Sequence, residues 1–384
     1  MDAFFGILIA IGCILPIFLA FFALTRRDAG IRETMLALLL TQFVLIFIAA
    51  YGDAQGYDAF ELLLINAAML IAPTFFIYLR VMTLGKSGFS RRQLFHYIPY
   101  LSSWLYFLIL LDGDPDSLDR LFIQPHFDQR PFLFNLFYVA ELCCIPIYSI
   151  LGLCILRDHR KSLSQQFSYS EGLDLKWAGV LIWFTLGIWF VIAIPDFLQL
   201  YLTRSMIPDT RSGFVIAAIM VACLCFYGLR QTNIFLAPSI TTPAKPETVV
   251  IDEPEAVEKY KKSGLSEPVA HQQMSALKEY MDTHKPYLQP KLSHAELAEM
   301  LALTPHDLSN LINQHMGCNF YDFINQYRVA AFKEKIEANQ DQQFTLLAIA
   351  MDCGFNSKSA FNRVFKKETG QTPSAYVKNW RRYN

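Results

Sequence analysis

Ile349-Ala350-Met351-Asp352-Cys353-Gly354-Phe355, followed by Ser357-Lys358-Ser359-Ala360-Phe361-Asn362-Arg363-Val364-Phe365-Lys366-Lys367, is the stretch on which the reading of this chain turns. Leu346, Ile349 and Ala350 share one face of a short helix, and Ala350 is small where a second helix crosses closely. Gly354 supplies the positive φ that a tight turn needs. Phe355, Phe361 and Phe365 then make a core, which leaves Lys358, Ser359, Asn362, Arg363 and Lys366 on the opposite face. An isolated lysine on such a face is ordinarily just solvated. Here a small residue, a turn glycine, an aromatic core and a polar outer face coincide, and the pattern is that of a helix-turn-helix. On that face Arg363 has the fork geometry to read guanine, and Asn362 beside it is counted toward the bases. Lys366 and Lys367 are suited to phosphate.

Upstream, a second unit of the same kind is expected. Leu292, Leu297, Ala298 and Leu301 give a helix over about 293–301 with one apolar face. Thr304 caps the next helix and Pro305 takes its first position. Leu308, Leu311 and Ile312 turn inward, leaving His306, Ser309, Asn310 and Asn313 on the outer face, with Asn313 counted toward phosphate. Asn310 has a chemical rationale, since an asparagine amide can bond adenine bidentately in the major groove. A long amphipathic helix over 320–339, with Phe323, Ile324, Tyr327, Ala331 and Ile336 inward, joins the two units rigidly. From Arg328 to Asn384 there are ten Lys/Arg against five Asp/Glu, a basic end suited to phosphate contact.

Residues 266–384 resemble the AraC/XylS family of bacterial transcription regulators. The resemblance rests on Ile349-Ala350, Gly354-Phe355, Phe361, Arg363, Phe365-Lys366-Lys367, Gly370, Thr372-Pro373 and Tyr376, with Leu308-Ser309, Ile312-Asn313, Gly317, Phe320, Asn325 and Arg328 in the first unit. It implies two recognition helices entering successive major grooves on one face of double-stranded DNA, roughly one turn or 34 Å apart. It also implies that His306, Ser309 and Asn310, and then Lys358, Ser359 and Arg363, are base-facing. One departure is that the first recognition helix has neither Lys nor Arg, so sequence choice should fall mainly to the second unit.

The rest of the chain has a different character. Of the 384 residues, 53% are hydrophobic and 17% charged, and the apolar ones crowd the first 236. A helix needs about 20 apolar residues to cross a bilayer, and seven such stretches are read: 4–24, 34–51, 60–83, 94–111, 132–156, 177–201 and 213–230. One set of loops holds eleven Lys/Arg and the opposite set four, the latter also carrying Asp53, Asp58, Asp112, Asp114, Asp116, Asp119 and Asp128. The positive set belongs in the cytoplasm, which puts the N-terminus outside and the chain after helix seven inside, where DNA is. The expected location is therefore the bacterial inner membrane. A cleaved signal peptide is the rival reading of 4–24; it lacks a basic start, and its removal would break the charge pattern.

Within the spans, Glu141, Asn66 and Asp196 are candidates for a pocket taking a small or lipophilic ligand, because polar groups inside a bilayer are costly. The competing reading has Asp196 at the interface and Glu141 paired with a neighbouring helix. The eight cysteines have no metal-site spacing with His and are read as reduced thiols. Residues 237–265 hold Pro238, Pro243, Pro246 and Pro254 among acidic residues and form a flexible tether of about 30 Å mean span, a poor lever. Residues 267–284 then form a helix whose apolar face docks on the DNA reader or serves a dimer contact, the former preferred.

The expected architecture is all-α: a seven-transmembrane helix bundle (1–236), a linker (237–265) and a soluble domain with two helix-turn-helix units (266–384). The expected function is a membrane-bound, sequence-specific transcription regulator whose bundle senses a ligand or an envelope signal. Its partners would be DNA, the lipid bilayer and an unknown ligand, with a homodimer left open. No cofactor is expected. A transporter or membrane enzyme is the alternative, but the sequence has no repeated halves, no Gly-rich phosphate loop and no HExxH. A bundle serving only as an anchor is a third reading, for which seven helices are excessive.

Overall fold

The computed structural model describes residues 3–27, 29–55, 67–111, 131–201, 222, 227, 267–339, 341 and 343–383. The chain forms two compact units. One comprises Met1–Arg157 and Leu175–Lys245, the other Asp158–Asp174 and Pro246–Asn384. The described residues are helical apart from turns; they contain no strand, and an isolated antiparallel bridge pairs Phe167 with Ser293.

In the first unit the helices are α1 (Ala3–Thr25), α2 (Ile31–Ala54), α3 (Ala67–Leu84), α4 (Ile98–Leu111), α5 (Phe132–Gln166, whose last turns belong to the second unit) and α6 (Lys176–Tyr201). Glu33 caps α2 by accepting the Gly30 N–H at 2.8 Å, a favourable place for a carboxylate at a helix N-terminus. Helices α1 and α2 meet at Gly12, where a Cβ would lie 2.6 Å from the Phe47 ring, so only glycine allows this approach. The core joins Leu19 and Ala20 of α1, Leu39, Leu40, Phe43 and Phe47 of α2, Ile77, Tyr78 and Val81 of α3, and Leu181 of α6.

Six of the seven expected spans coincide with described helices, with altered boundaries. The expected 94–111 helix is split into a 3-10 segment, Arg91–Tyr97, and α4. Pro99 accounts for the break: it has no N–H to give and is at home in a first helical turn. The span 213–230 lies outside the described residues except for 222 and 227, which are helical. By length and composition, two described helices can cross a membrane, over Ile31–Ala49 and Phe132–Gln166. Shorter apolar stretches occupy Ile9–Thr25, Met69–Leu84 and Lys176–Phe190. Seven crossings are thus more than the described residues supply. The linker 237–265 lies outside them entirely.

The second unit contains α7 (Glu267–His284), α8 (His294–Met300), α9 (Pro305–Asn310), α10 (Phe320–Glu337), α11 (Leu346–Asp352), α12 (Lys358–Thr369) and α13 (Pro373–Tyr383). One core runs through it. Met274, Leu277 and Met281 of α7 join Leu297, Leu308, Phe323, Ile324 and Phe332, and then Ile349, Phe361 and Phe365. The apolar face of α7 is therefore spent on this core. Ser293 caps α8 in a reciprocal box: its hydroxyl accepts from the Glu296 N–H, and the Glu296 carboxylate accepts from the Ser293 N–H.

Candidate nucleic-acid interface

The second helix-turn-helix comprises α11, a turn and α12. Thr345 caps α11 through the Ala348 N–H, and Ser357 caps α12 through the Ala360 N–H. The turn between them depends on Gly354, whose φ is +90°. A Cβ there would also lie 2.4 Å from the Tyr287 carbonyl oxygen, so glycine is required on two counts. Helix α12 buries Ala360, Phe361, Val364 and Phe365, and ends at Gly370 with φ +76°. Its opposite face exposes Lys358, Ser359, Asn362, Arg363, Lys366 and Lys367. All six expected residues of this unit therefore share one face.

Two of the six are engaged. Lys367 Nζ lies 2.6 Å from Asp322 Oδ1 in the first turn of α10, which holds the ammonium more firmly protonated than usual. Phosphate would have to compete with that carboxylate. The Arg363 guanidinium donates through Nη2 to the Tyr321 hydroxyl and to Ser170 Oγ, each at 3.1 Å. Neither Tyr321 nor Ser170 stood out in the sequence, where both read as ordinary polar residues.

In the first unit Thr304 caps α9 by accepting the Asp307 N–H, with Pro305 in the first turn, as expected. The helix then widens into a π segment over Leu311–His315. Such segments accommodate an extra residue in the turn and are often found where side chains must be re-aimed. The outward residues pair along the helix: Asn310 Nδ2 with His306 Nδ1 at 3.1 Å, and Asn313 Nδ2 with Ser309 Oγ at 3.2 Å. They form a polar ladder without Lys or Arg, with exposed ends.

The sequence counted Arg328 toward the basic, phosphate-binding end. The structure assigns it otherwise. It is 1% exposed. Nε donates to the Tyr287 carbonyl at 2.8 Å, Nη1 to the Ser168 carbonyl at 3.0 Å, and Nη2 to the Gln289 carbonyl at 2.7 Å and to Ser168 Oγ at 3.1 Å. Burial pulls its pKa down to about 10, even with Tyr321 and Glu171 pulling the other way. Arg328 is a framework residue that ties three chain segments together: α10, the 287–290 stretch and the one at Ser168. The basic surplus is reduced further by Lys335 on Asp352 at 3.7 Å and Arg381 on Asp341.

The expected ligand pocket is not brought together among the described residues. Asn66 lies outside them, and Asp196 is described only as part of α6. Glu141 is half-buried on α5. The first unit instead holds a cavity of about 230 Å³ lined by Leu39, Phe43, Phe75, Tyr148, Leu181 and Thr185 among others, and Glu141 is not among the described lining residues. The Tyr148 hydroxyl is 2.9 Å from His96 Nδ1. The six described cysteines are free.

A helix-turn-helix domain profile matches residues 297–379, which includes α9, α10, α11 and α12. This part of the chain matches a helix-turn-helix domain, in keeping with the AraC-type resemblance of its motifs. The chain is similar to the uncharacterized HTH-type transcriptional regulator YpdC of Escherichia coli, 31% identical over 90 residues, covering 23% of this chain and 30% of that one. It is similar to the probable transcriptional regulator LumQ of Photobacterium leiognathi, 29% identical over 103 residues, covering 27% and 39%. It is also similar to the regulatory protein PocR of Salmonella typhimurium, 28% identical over 128 residues, covering 33% and 40%. The chain thus spans well under half the length of these relatives. No solved structure matches it.

Proposed function

We propose that the chain is a membrane-held, sequence-specific transcription regulator. The observation that carries this is the exposed face of α12, where Lys358, Ser359, Asn362, Arg363 and Lys366 project from a helix fixed by Phe361 and Phe365. That is the arrangement needed to read base edges in a major groove, with phosphate contacts flanking them. The ladder on α9, which has no Lys or Arg, suits a supporting role in the adjacent groove. The similar proteins, all described as regulators, support the same reading.

The exterior of the first unit supports membrane residence. Ile14 is 68% exposed, Phe21 67%, Ile109 66% and Trp183 65%, a distribution that water penalises and lipid does not. The loop charges orient the bundle with its C-terminal unit in the cytoplasm of a bacterial inner membrane. The cavity, apolar but for the hydroxyls of Tyr148, Ser149 and Thr185, suits a compact lipophilic ligand as the sensed signal. A second copy of the chain remains a natural partner on repeated DNA sites.

The test is selection of DNA from a random library by the full chain in lipid nanodiscs. Enrichment of a bipartite motif, its halves about 10 bp apart, is expected. Recovery of unenriched sequence sinks the reading. Ser149→Trp, which fills the cavity, should hold promoter output at one level across growth conditions; output varying as in the unaltered chain removes the cavity from the account.

A further inference from the structure

The segment Asp158–Asp174, the last turns of α5 with the loop that leads to α6, belongs to the same compact unit as the DNA reader. It is held as a built helix-and-loop segment. His159 Nε2 donates to the Leu173 carbonyl at 2.9 Å, which draws its two ends together. At its centre Ser168 is 1% exposed. Ser168 donates to the Leu292 carbonyl through its N–H at 3.2 Å and its hydroxyl at 2.7 Å. Its own carbonyl accepts from Arg328 Nη1 and from Asn325 Nδ2 at 3.2 Å. A buried serine with every polar atom matched is an anchor, because undocking it would leave the Arg328 guanidinium short of partners in a dry site.

Two residues further on, the same loop reaches the reading face. Ser170 Oγ accepts from Arg363 Nη2 at 3.1 Å, and the carboxylates of Glu171 and Asp174 add negative potential at that guanidinium. A guanine edge or a phosphate offers Arg363 the same kind of acceptor, and would compete with Ser170 and Tyr321 for Nη2. Carboxylates beside an incoming phosphodiester would oppose DNA further.

We propose that residues 158–174 form an autoinhibitory strap, anchored at Ser168, whose Ser170–Asp174 end sheathes Arg363 and competes with DNA for it. This rests on the reading of α12 as the DNA-reading helix. The strap is continuous with α5 and α6, so a signal that rearranges those helices acts on the sheath directly. The 237–265 tether, a poor lever, need not carry it.

The test is a double-mutant cycle on the full chain in nanodiscs, using 30-bp duplexes recovered by the unaltered chain from a random library. Ser170→Ala is charge-neutral and at the surface, so it removes the sheath contact without altering net charge. It is expected to tighten binding roughly 2- to 10-fold. Glu171→Gln should tighten it as well. In an Arg363→Ala background both gains should vanish, which separates release of Arg363 from a general loss of negative charge. Unchanged or weaker binding by Ser170→Ala overturns the strap, as do gains of equal size in the Arg363→Ala background. Failure of the unaltered chain to recover any duplex would instead count against the DNA-reading assignment itself.

Discussion

Replacing Arg328 with Met removes a buried guanidinium while roughly keeping its volume. The Tyr287, Gln289 and Ser168 carbonyls lose charge-assisted donors at 2.8, 2.7 and 3.0 Å. Gln289 keeps a long bond from the Leu292 N–H, and Ser168 keeps Asn325, so the Tyr287 carbonyl suffers most. At about 2 kcal/mol for each lost bond to a charged group, the gross loss is about 6 kcal/mol. Against it stands the cost of burying the charge. A pKa drawn from 12.5 down to about 10 means the fold disfavours the charged form. At about 1.4 kcal/mol per pKa unit, removing the charge returns roughly 3 kcal/mol. The net destabilisation is then roughly 3 kcal/mol, in line with what breaking a buried ionic site costs. The assay is amide hydrogen exchange of α10 in the full chain in nanodiscs, where such a loss speeds exchange about 100-fold. Arg328→Lys, which keeps the charge but lacks the fork, should be no better. Exchange within about threefold of the unaltered chain would refute the reasoning, because the hydrogen bonds would then do no more than offset the desolvation cost.

Other outcomes follow from particular sites. Gly354→Ala adds a Cβ at φ +90° and 2.4 Å from the Tyr287 carbonyl. About 2–5 kcal/mol of strain and overpacking is expected, and α11–α12 exchange at the unaltered rate would contradict it. His294, 8% exposed with Nε2 unpartnered, has its pKa lowered by burial from 6.5 to about 4. The fold favours the neutral ring, so its contribution is complete above pH 6.5 and is lost as pH falls from 6.5 toward 4, by up to roughly 3 kcal/mol. His294→Gln should flatten the pH dependence of α8 protection, corrected for intrinsic exchange; an unchanged slope assigns that dependence to another group. Lys366→Ala should weaken DNA binding similarly on all sequences and reduce the salt slope by about 1. A change confined to one sequence would make Lys366 a base reader.

What the sequence disclosed follows from local rules. Gly354, the Thr304 cap with Pro305, and the Phe361/Phe365 stripe each act within a turn or two of the chain, so spacing alone reveals them. The six outward residues of α12 follow from the same periodicity. The apolar stretches also announced helices, though their ends depend on details such as Pro99, which splits the expected 94–111 helix. Arg328 was misjudged because a basic residue on an amphipathic helix looks solvent-bound until its acceptors appear, and those lie in Tyr287, Gln289 and Ser168, 39 to 160 residues away in sequence. The strap was hidden for the same reason. Ser168 and Ser170 are unremarkable among the polar residues of a loop, and only tertiary contact gives them partners. The aromatic pair Phe167 and Tyr169, alternating with Ser168 and Ser170, was the available signal. The π segment at 311–315 and the polar ladder on α9 likewise depend on backbone geometry that residue types do not encode uniquely.

The central claim is that α12 reads DNA through Arg363 in the intact chain. Genome-wide occupancy of the full chain in native membranes, measured beside Arg363→Ala, tests it most directly. Discrete promoter peaks that disappear in the Arg363→Ala chain are expected. Peaks of unchanged position and height in that variant would contradict the claim.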